Sequence, residues 1–158
     1  MKNKFILVLL PFFLSYFFVF GQYEGRVVGI TDGDTFTILV KDSSIKIRLH
    51  GIDSPEKRQV FGIEAKKGLS NLIFNKQITV QANGHDRYGR LIGIAFLDSI
   101  CVNEFMLRNG LAWHYLKYDS NPKWSKLESE AKELKVGLWS DSLQVEPWDW
   151  RKNRKSKK

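Results

Sequence analysis

Apolar and polar positions follow two rhythms along this chain, and the changes of rhythm mark its elements. Val27, Val28 and Ile30 supply a first strand, and Phe36, Ile38 and Val40 alternate with Thr35, Thr37 and Leu39 in a second. Asp32-Gly33 between them is the expected hairpin turn. After the turn Lys41-Asp42-Ser43-Ser44, a third strand places Ile45, Ile47 and Leu49 on one face and Lys46, Arg48 and His50 on the other. Phe61, Ala65, Leu69, Leu72 and Ile73 then recur at helical spacing, which predicts a helix from about Gly62 to Phe74. Ile78, Val80 and Ala82 form a fourth strand; a fifth has Ile92, Ile94 and Phe96 on one face and Leu91, Ala95 and Leu97 on the other. Val102, Phe105, Met106 and Leu111 predict a short helix ending near Asn109-Gly110. Asn121 as N-cap and Pro122 at the first helical position open a last helix, with Trp124, Leu127, Ala131 and Leu134 on one face and its stop at Gly137.

Five short strands, one helix after the third and two after the fifth predict an α+β, mainly β fold: a five-stranded Greek-key barrel of the OB type with three helices. An open α+β sheet is the alternative. No internal repeat or second domain is visible. The 158 residues, with 43% hydrophobic and 13% aromatic content, suffice for one domain with a real core.

Charge changes this picture little. The formal net charge is +8, but eight of the 25 Lys and Arg lie at Lys2, Lys4 and the run from Arg151 to Lys158, which leaves 17 basic residues against 17 acidic ones in the body. A neutral body removes the basic pI as an argument for nucleic-acid binding; only local patches carry one. The uncharged run Phe5–Phe20 behind Lys2 and Lys4 has the composition of a secretory signal and is short for a membrane span of about 20 residues. The expected organisation is a signal peptide over 1–21, with retention as an uncleaved anchor the alternative, a domain over 22–150 closed by Pro147-Trp148-Asp149-Trp150, and a basic disordered tail over 151–158. The chain is thus expected to be exported, secreted or periplasmic. Cys101 is the only cysteine, so no intrachain disulfide is available and its expected place is as a small buried hydrophobe.

The chemistry gathers where the third strand ends. Arg48 sits on a rigid element, Gly51 loosens the backbone, and Asp53-Ser54-Pro55-Glu56 reads as a turn presenting two carboxylates. A guanidinium binds phosphate oxygens in a fork, and clustered carboxylates hold a hard cation or move a proton. Asp34 opens the second strand beside this site without being needed by the turn chemistry. Between the fourth and fifth strands, Asn83-Gly84-His85-Asp86-Arg87-Tyr88-Gly89-Arg90 reads as an anion-binding turn with an aromatic ring on which a base can stack. The plainer readings are a solvated acidic turn and an exposed hairpin with an Asp86–Arg87 charge pair.

Three stretches, Asp32-Gly33-Asp34-Thr35, Arg48 to Glu56, and Asp86-Arg87-Tyr88-Gly89-Arg90, in this order resemble the motifs of the staphylococcal nuclease (thermonuclease) family. The resemblance runs from about Tyr23 to Trp139. It implies that Asp34 and Asp53, with the carbonyl of Ser54 where threonine is usual, bind Ca²⁺. It implies that Glu56 is the general base toward the attacking water and that Arg48 and Arg90 hold the scissile phosphate. Arg87, in place of a lysine, and Tyr88 match contacts to a terminal phosphate of the bound nucleotide. Tyr118 is similar to an aromatic near the base, with Leu116 where a second aromatic is expected and Tyr115 beside it. The implied protein is a monomeric Ca²⁺-dependent nuclease acting on DNA and RNA with low sequence specificity and no protein partner. The alternative is a non-catalytic nucleic-acid-binding OB module, in which loss of Arg48, Glu56 or a metal carboxylate is expected; each is present.

Overall fold

In the computed structural model, residues 21–142 and 144–156 are described; the segment read as a signal peptide lies outside them but for Gly21. β1 (Gln22–Ile30), β2 (Thr35–Val40) and β3 (Ser43–Leu49) form an antiparallel meander, followed by the two-residue β4 (Ile52–Asp53) and helix α1 (Gly62–Ile73). β5 (Gln77–His85) and β6 (Leu91–Leu97) make a second hairpin, and β7 (Ile100–Cys101) leads into α2 (Val102–Arg108). The short β8 (Trp113–His114), α3 (Pro122–Glu133), a 3₁₀ turn over Gly137–Ser140 and α4 (Pro147–Lys155) complete the chain.

The sheet order is β3-β2-β1-β5-β6-β7, and a parallel pairing of β3 with β6 closes β1, β2, β3, β5 and β6 into the expected five-stranded barrel. Closure leaves only a short edge for β7 to extend. The alternating faces fill the interior: Val27, Phe36, Ile38, Ile47, Val80 and Ala95 are all fully buried. Ala65, Leu69 and Ile73 of α1 and Val102 and Met106 of α2 cap it from outside the strands. Asn103 of α2 is a fully buried polar anchor whose Oδ1 accepts the Ala95 N–H at 3.1 Å and whose amide donates to the His50 carbonyl at 2.8 Å. It ties β6 to the end of β3.

Four expectations are corrected. Asp32-Gly33 does not form a two-residue turn: Asp34 N–H donates to the Asp32 carboxylate at 3.2 Å, an Asx turn in a wider loop, and Gly33 is absent from the positive-φ residues. Glycine is needed there for space, because a Cβ would lie 2.7 Å from both the Ala65 and Ser54 Cβ atoms. Asp53 belongs to a strand, β4, paired to Trp113 of β8. Leu134 leaves the α3 stripe: the helix ends at Glu133, Lys135 turns the backbone at φ 53°, and Leu134 points to solvent. The segment from Arg151, expected as a disordered tail, continues α4 to Lys155, with Pro147 at its first turn.

Replacing Asn103 with alanine strands the buried Ala95 N–H and His50 carbonyl, so Asn103→Ala is expected to cost about 1–3 kcal/mol in a denaturant unfolding titration.

Candidate active site

Arg48 leaves β3 directly opposite Thr35 of β2, and the Leu49 N–H donates to the Asp34 carbonyl at 2.8 Å. This register brings the Arg48 guanidinium onto the carboxylate of Asp34, with which Nη1 pairs, while Nη2 donates to Asp53 Oδ1 at 2.7 Å. Both carboxylates are buried, at 2% and 0% exposure. Two buried like charges side by side require a cation between them. Asp34 is further held by the Thr35 hydroxyl, which donates to Oδ1 at 3.0 Å, and by the Ser54 N–H, which donates to Oδ2 at 2.8 Å. The Ser54 hydroxyl is buried beside it with no hydrogen-bond partner.

Arg90 enters from the β5–β6 hairpin. Its Nε pairs with Asp86 at 2.6 Å and its Nη1 donates to the Thr35 hydroxyl at 3.4 Å, which links the hairpin to Asp34. The Asp86 partner is therefore Arg90 and not Arg87: the turn through Gly89, at φ 77°, folds Arg90 back onto it. Burial works to raise the Asp86 pKa, but the Arg90 N–H, its guanidinium and the Tyr88 N–H outweigh it and hold the carboxyl below its ordinary value. Arg87 instead lies over the exposed Tyr88 ring at 4.9 Å. Tyr118 is exposed, edge-on to Tyr115 at 4.9 Å.

Glu56 follows in a turn in which Gln59 N–H donates to the Glu56 carbonyl at 2.7 Å and the Gln59 side-chain oxygen accepts the Glu56 N–H at 3.1 Å. Gly62 is required beneath it, because a Cβ would stand 2.0 Å from the Glu56 carbonyl oxygen. The carboxylate is about one-third exposed and reaches the rest of the site through an arginine that sequence reasoning missed: Arg151 of α4 donates to Glu56 at 2.8 Å and to Asp53 at 2.6 and 3.2 Å. Burial opposes the Arg151 charge, but these two carboxylates prevail and push its pKa further up. The signal for α4 was Pro147 at a first helical turn followed by Trp148 and Arg151 one turn apart. Gln59 carried no signal of its own, and Thr35 was marked only as a strand position and the last residue of the Asp32-Gly33-Asp34-Thr35 stretch, with no role read for it.

Behind the site, His114 lies between Asp119 at 2.9 Å and the Ser125 hydroxyl at 3.0 Å. A Ser–His–Asp set invites a hydrolase reading, but the imidazole is 1% exposed, so it clamps β8 to α3 and meets no substrate.

The donors at Asp34, Asp53 and Ser54 are all oxygens, the chemistry of a hard divalent ion, and the orphaned Ser54 hydroxyl is consistent with a polar ligand there. Among the described residues no group of three or more His, Cys, Asp and Glu side chains converges on one point, so such an ion would rest on two carboxylates, Ser54 and water.

The family profile of staphylococcal nuclease homologues matches residues 46–141, well over half the chain. The chain belongs to the staphylococcal nuclease family. An uncharacterized endonuclease of Escherichia coli O157:H7 is 40% identical over 144 residues, covering 90% of this chain and 94% of that protein. The micrococcal nuclease of Shigella flexneri is 36% identical over 146 residues, 85% and 84% of the two chains. Staphylococcal-like nuclease CAN1 of Arabidopsis thaliana is 44% identical over 110 residues, 70% of this chain but 34% of that protein, so the chain spans about a third of the plant relatives' length. It is a staphylococcal-nuclease-like nuclease, and nucleic acid is its substrate class.

The lowered Asp86 pKa sets a pH dependence. Its stabilising contribution is complete above the ordinary aspartate value of about 4 and is lost as pH falls through the lower folded value. Asp86→Asn is expected to lower the Tm at pH 6, with the gap from the unsubstituted protein closing below about pH 4 in a thermal-unfolding series.

Proposed function

We propose that this nuclease is a Ca²⁺-dependent phosphodiesterase that hydrolyses DNA and RNA with little sequence preference. The observation that carries the proposal is the Arg48 guanidinium on the Asp34 and Asp53 carboxylates, joined through Thr35 to Arg90. Two guanidiniums and a carboxylate pair on one barrel end are suited to a phosphodiester, whose hydrolysis builds negative charge on the phosphoryl oxygens. Ca²⁺, the ion that the family resemblance implies, would be held by Asp34, Asp53 and the Ser54 carbonyl and would supply charge stabilisation at a phosphoryl oxygen.

In this reading Arg48 and Arg90 bind the two non-bridging oxygens and hold the phosphorus in line with a water. Glu56 takes a proton from that water as its oxygen bonds to phosphorus. The bond from phosphorus to the leaving sugar oxygen breaks, its electron pair stays on that oxygen, and solvent supplies the proton. Arg87 and Tyr88, exposed at the hairpin tip, engage a neighbouring phosphate, and Tyr118 offers its ring to a base. No base edge is read by any of these groups, which accounts for low sequence preference.

The test is hydrolysis of single-stranded DNA by residues 22–158 with Ca²⁺ and with a chelator. Glu56→Gln is expected to lower kcat by about 10²–10⁴-fold and Arg90→Ala by about 10²–10³-fold. Binding without cleavage under any divalent ion would overturn the proposal in favour of the non-catalytic module.

Export is proposed from the apolar run Phe5–Phe20 behind Lys2 and Lys4. N-terminal sequencing of the exported protein is expected to begin near Gln22; an intact Met1 would make the segment an anchor.

A further inference from the structure

Arg151 occupies the two carboxylates that the proposed reaction needs free. Asp53 Oδ2 is taken by Arg151 Nη2 at 2.6 Å, and Oδ1 is shared by Arg48 Nη2 at 2.7 Å and Arg151 Nη1 at 3.2 Å. The same Nη1 donates to Glu56 Oε1 at 2.8 Å. The carboxylates of Asp34, Asp53 and Glu56 are thus each paired with one of the chain's own guanidiniums, Arg48 or Arg151. A divalent ion at Asp53 must displace one of these donors, and Arg151 lowers the readiness of Glu56 to take a proton by holding its Oε1.

Which donor yields is decided by how each is held. Arg48 is 17% exposed, rooted in the barrel strand β3, and donates also to the Ile52 carbonyl at 3.4 Å. Arg151 is 40% exposed, on a helix that contributes no residue to the hydrophobic core cluster. α4 is docked by a few contacts at its start: Trp148 stacks on Tyr115 with centroids 4.7 Å apart and planes 9° from parallel, and the Gln59 amide donates to the Val145 carbonyl. The Trp150 indole N–H is buried there without an acceptor, which weakens the docking. Few buried apolar contacts, an orphaned donor and a position after the core elements mark the low-stability end of a fold.

Trp148 also covers a face of Tyr115, the ring that carries Tyr118 beside it. One helix therefore presents a guanidinium to the carboxylates and an aromatic plane to the aromatic corner, the two chemistries that a divalent ion and a nucleobase would bring.

We propose that α4 is an internal, exchangeable occupant of the active site: docked, it closes the site with Arg151 and Trp148, and binding of a divalent cation to Asp53 releases it. The proposal rests on the metal assignment made above. An occupant docked in at least nine-tenths of molecules lowers the apparent affinity for the competing ion by about tenfold. Gln59, which holds both the Glu56 turn and Val145, couples the helix to the general-base turn.

The test is Ca²⁺ binding by calorimetry to residues 22–158, beside hydrogen exchange of the amides of α4. Arg151→Gln is expected to bind Ca²⁺ about tenfold more tightly, and Ca²⁺ is expected to reduce the protection of 147–155 in the unsubstituted protein. Because loss of a nearby positive charge alone raises cation affinity, Trp148→Ala serves as the second variant. It keeps the Arg151 charge, undocks the helix, and is expected to tighten Ca²⁺ binding as well. Ca²⁺ binding that requires Asp53 but is unchanged in Trp148→Ala, with α4 protection unmoved, overturns the occupant while leaving the metal assignment standing. Absence of Ca²⁺ binding in all three proteins overturns both.

Discussion

The organising constraint of this protein is electrostatic: two carboxylates with almost no solvent exposure, Asp34 and Asp53, are held against each other by one guanidinium. Neither charge is tolerable alone in that environment. Arg48 can serve both only because β2 and β3 pair with Thr35 opposite Arg48, and because β4 is pinned to β8 so that Asp53 faces inward. Barrel closure, through the parallel pairing of β3 with β6, fixes the strand from which the guanidinium projects. The interior packing and the polar anchors at Asn103 and His114 are therefore also the scaffold of the site.

From that pair the charges alternate outward in both directions. Asp86 holds Arg90, Arg90 reaches Thr35, Thr35 donates to Asp34, Arg48 joins Asp34 to Asp53, and Arg151 joins Asp53 to Glu56. Each of these carboxylates is paired with a guanidinium, and each guanidinium is oriented by a carboxylate, so the fold itself fixes where the donors stand. Donors fixed in this way have the preorganisation that the proposed hydrolysis calls for. α4 brings Arg151, Lys152, Arg154 and Lys155 into the folded body, which therefore carries 21 Lys and Arg against 17 Asp and Glu over its described residues.

The site's glycines show how tightly backbone and chemistry are joined. A Cβ at Gly62 would strike the Glu56 carbonyl, one at Gly33 would strike Ser54 and Ala65, and one at Gly51, already at φ 65°, would strike Asp119 and Trp124. These residues admit close approach between the barrel end and the elements behind it. The acidic turn and α1 can then pack as one unit against the strands.

The amino-acid sequence alone determined the barrel, because period-2 and period-3.6 patterns report which face of each element must be buried, and burial is what the fold maximises. It also pointed to the candidate site: Asp34, Arg48, Asp53, Glu56 and Arg90 stand at strand ends and turns, where local chemistry is readable without tertiary knowledge, and the fold brings them to one barrel end. Tertiary structure decided the pairings. Asp86 chose Arg90 over its neighbour Arg87 because the hairpin folds back at Gly89. Leu134 left its stripe because the helix stopped one residue before it. Arg151 became part of the site because α4 returns across the barrel end, about a hundred residues along the chain from Asp53 and Glu56. A charge's partner is fixed by distance in space, and for residues that far apart only the closed fold sets that distance.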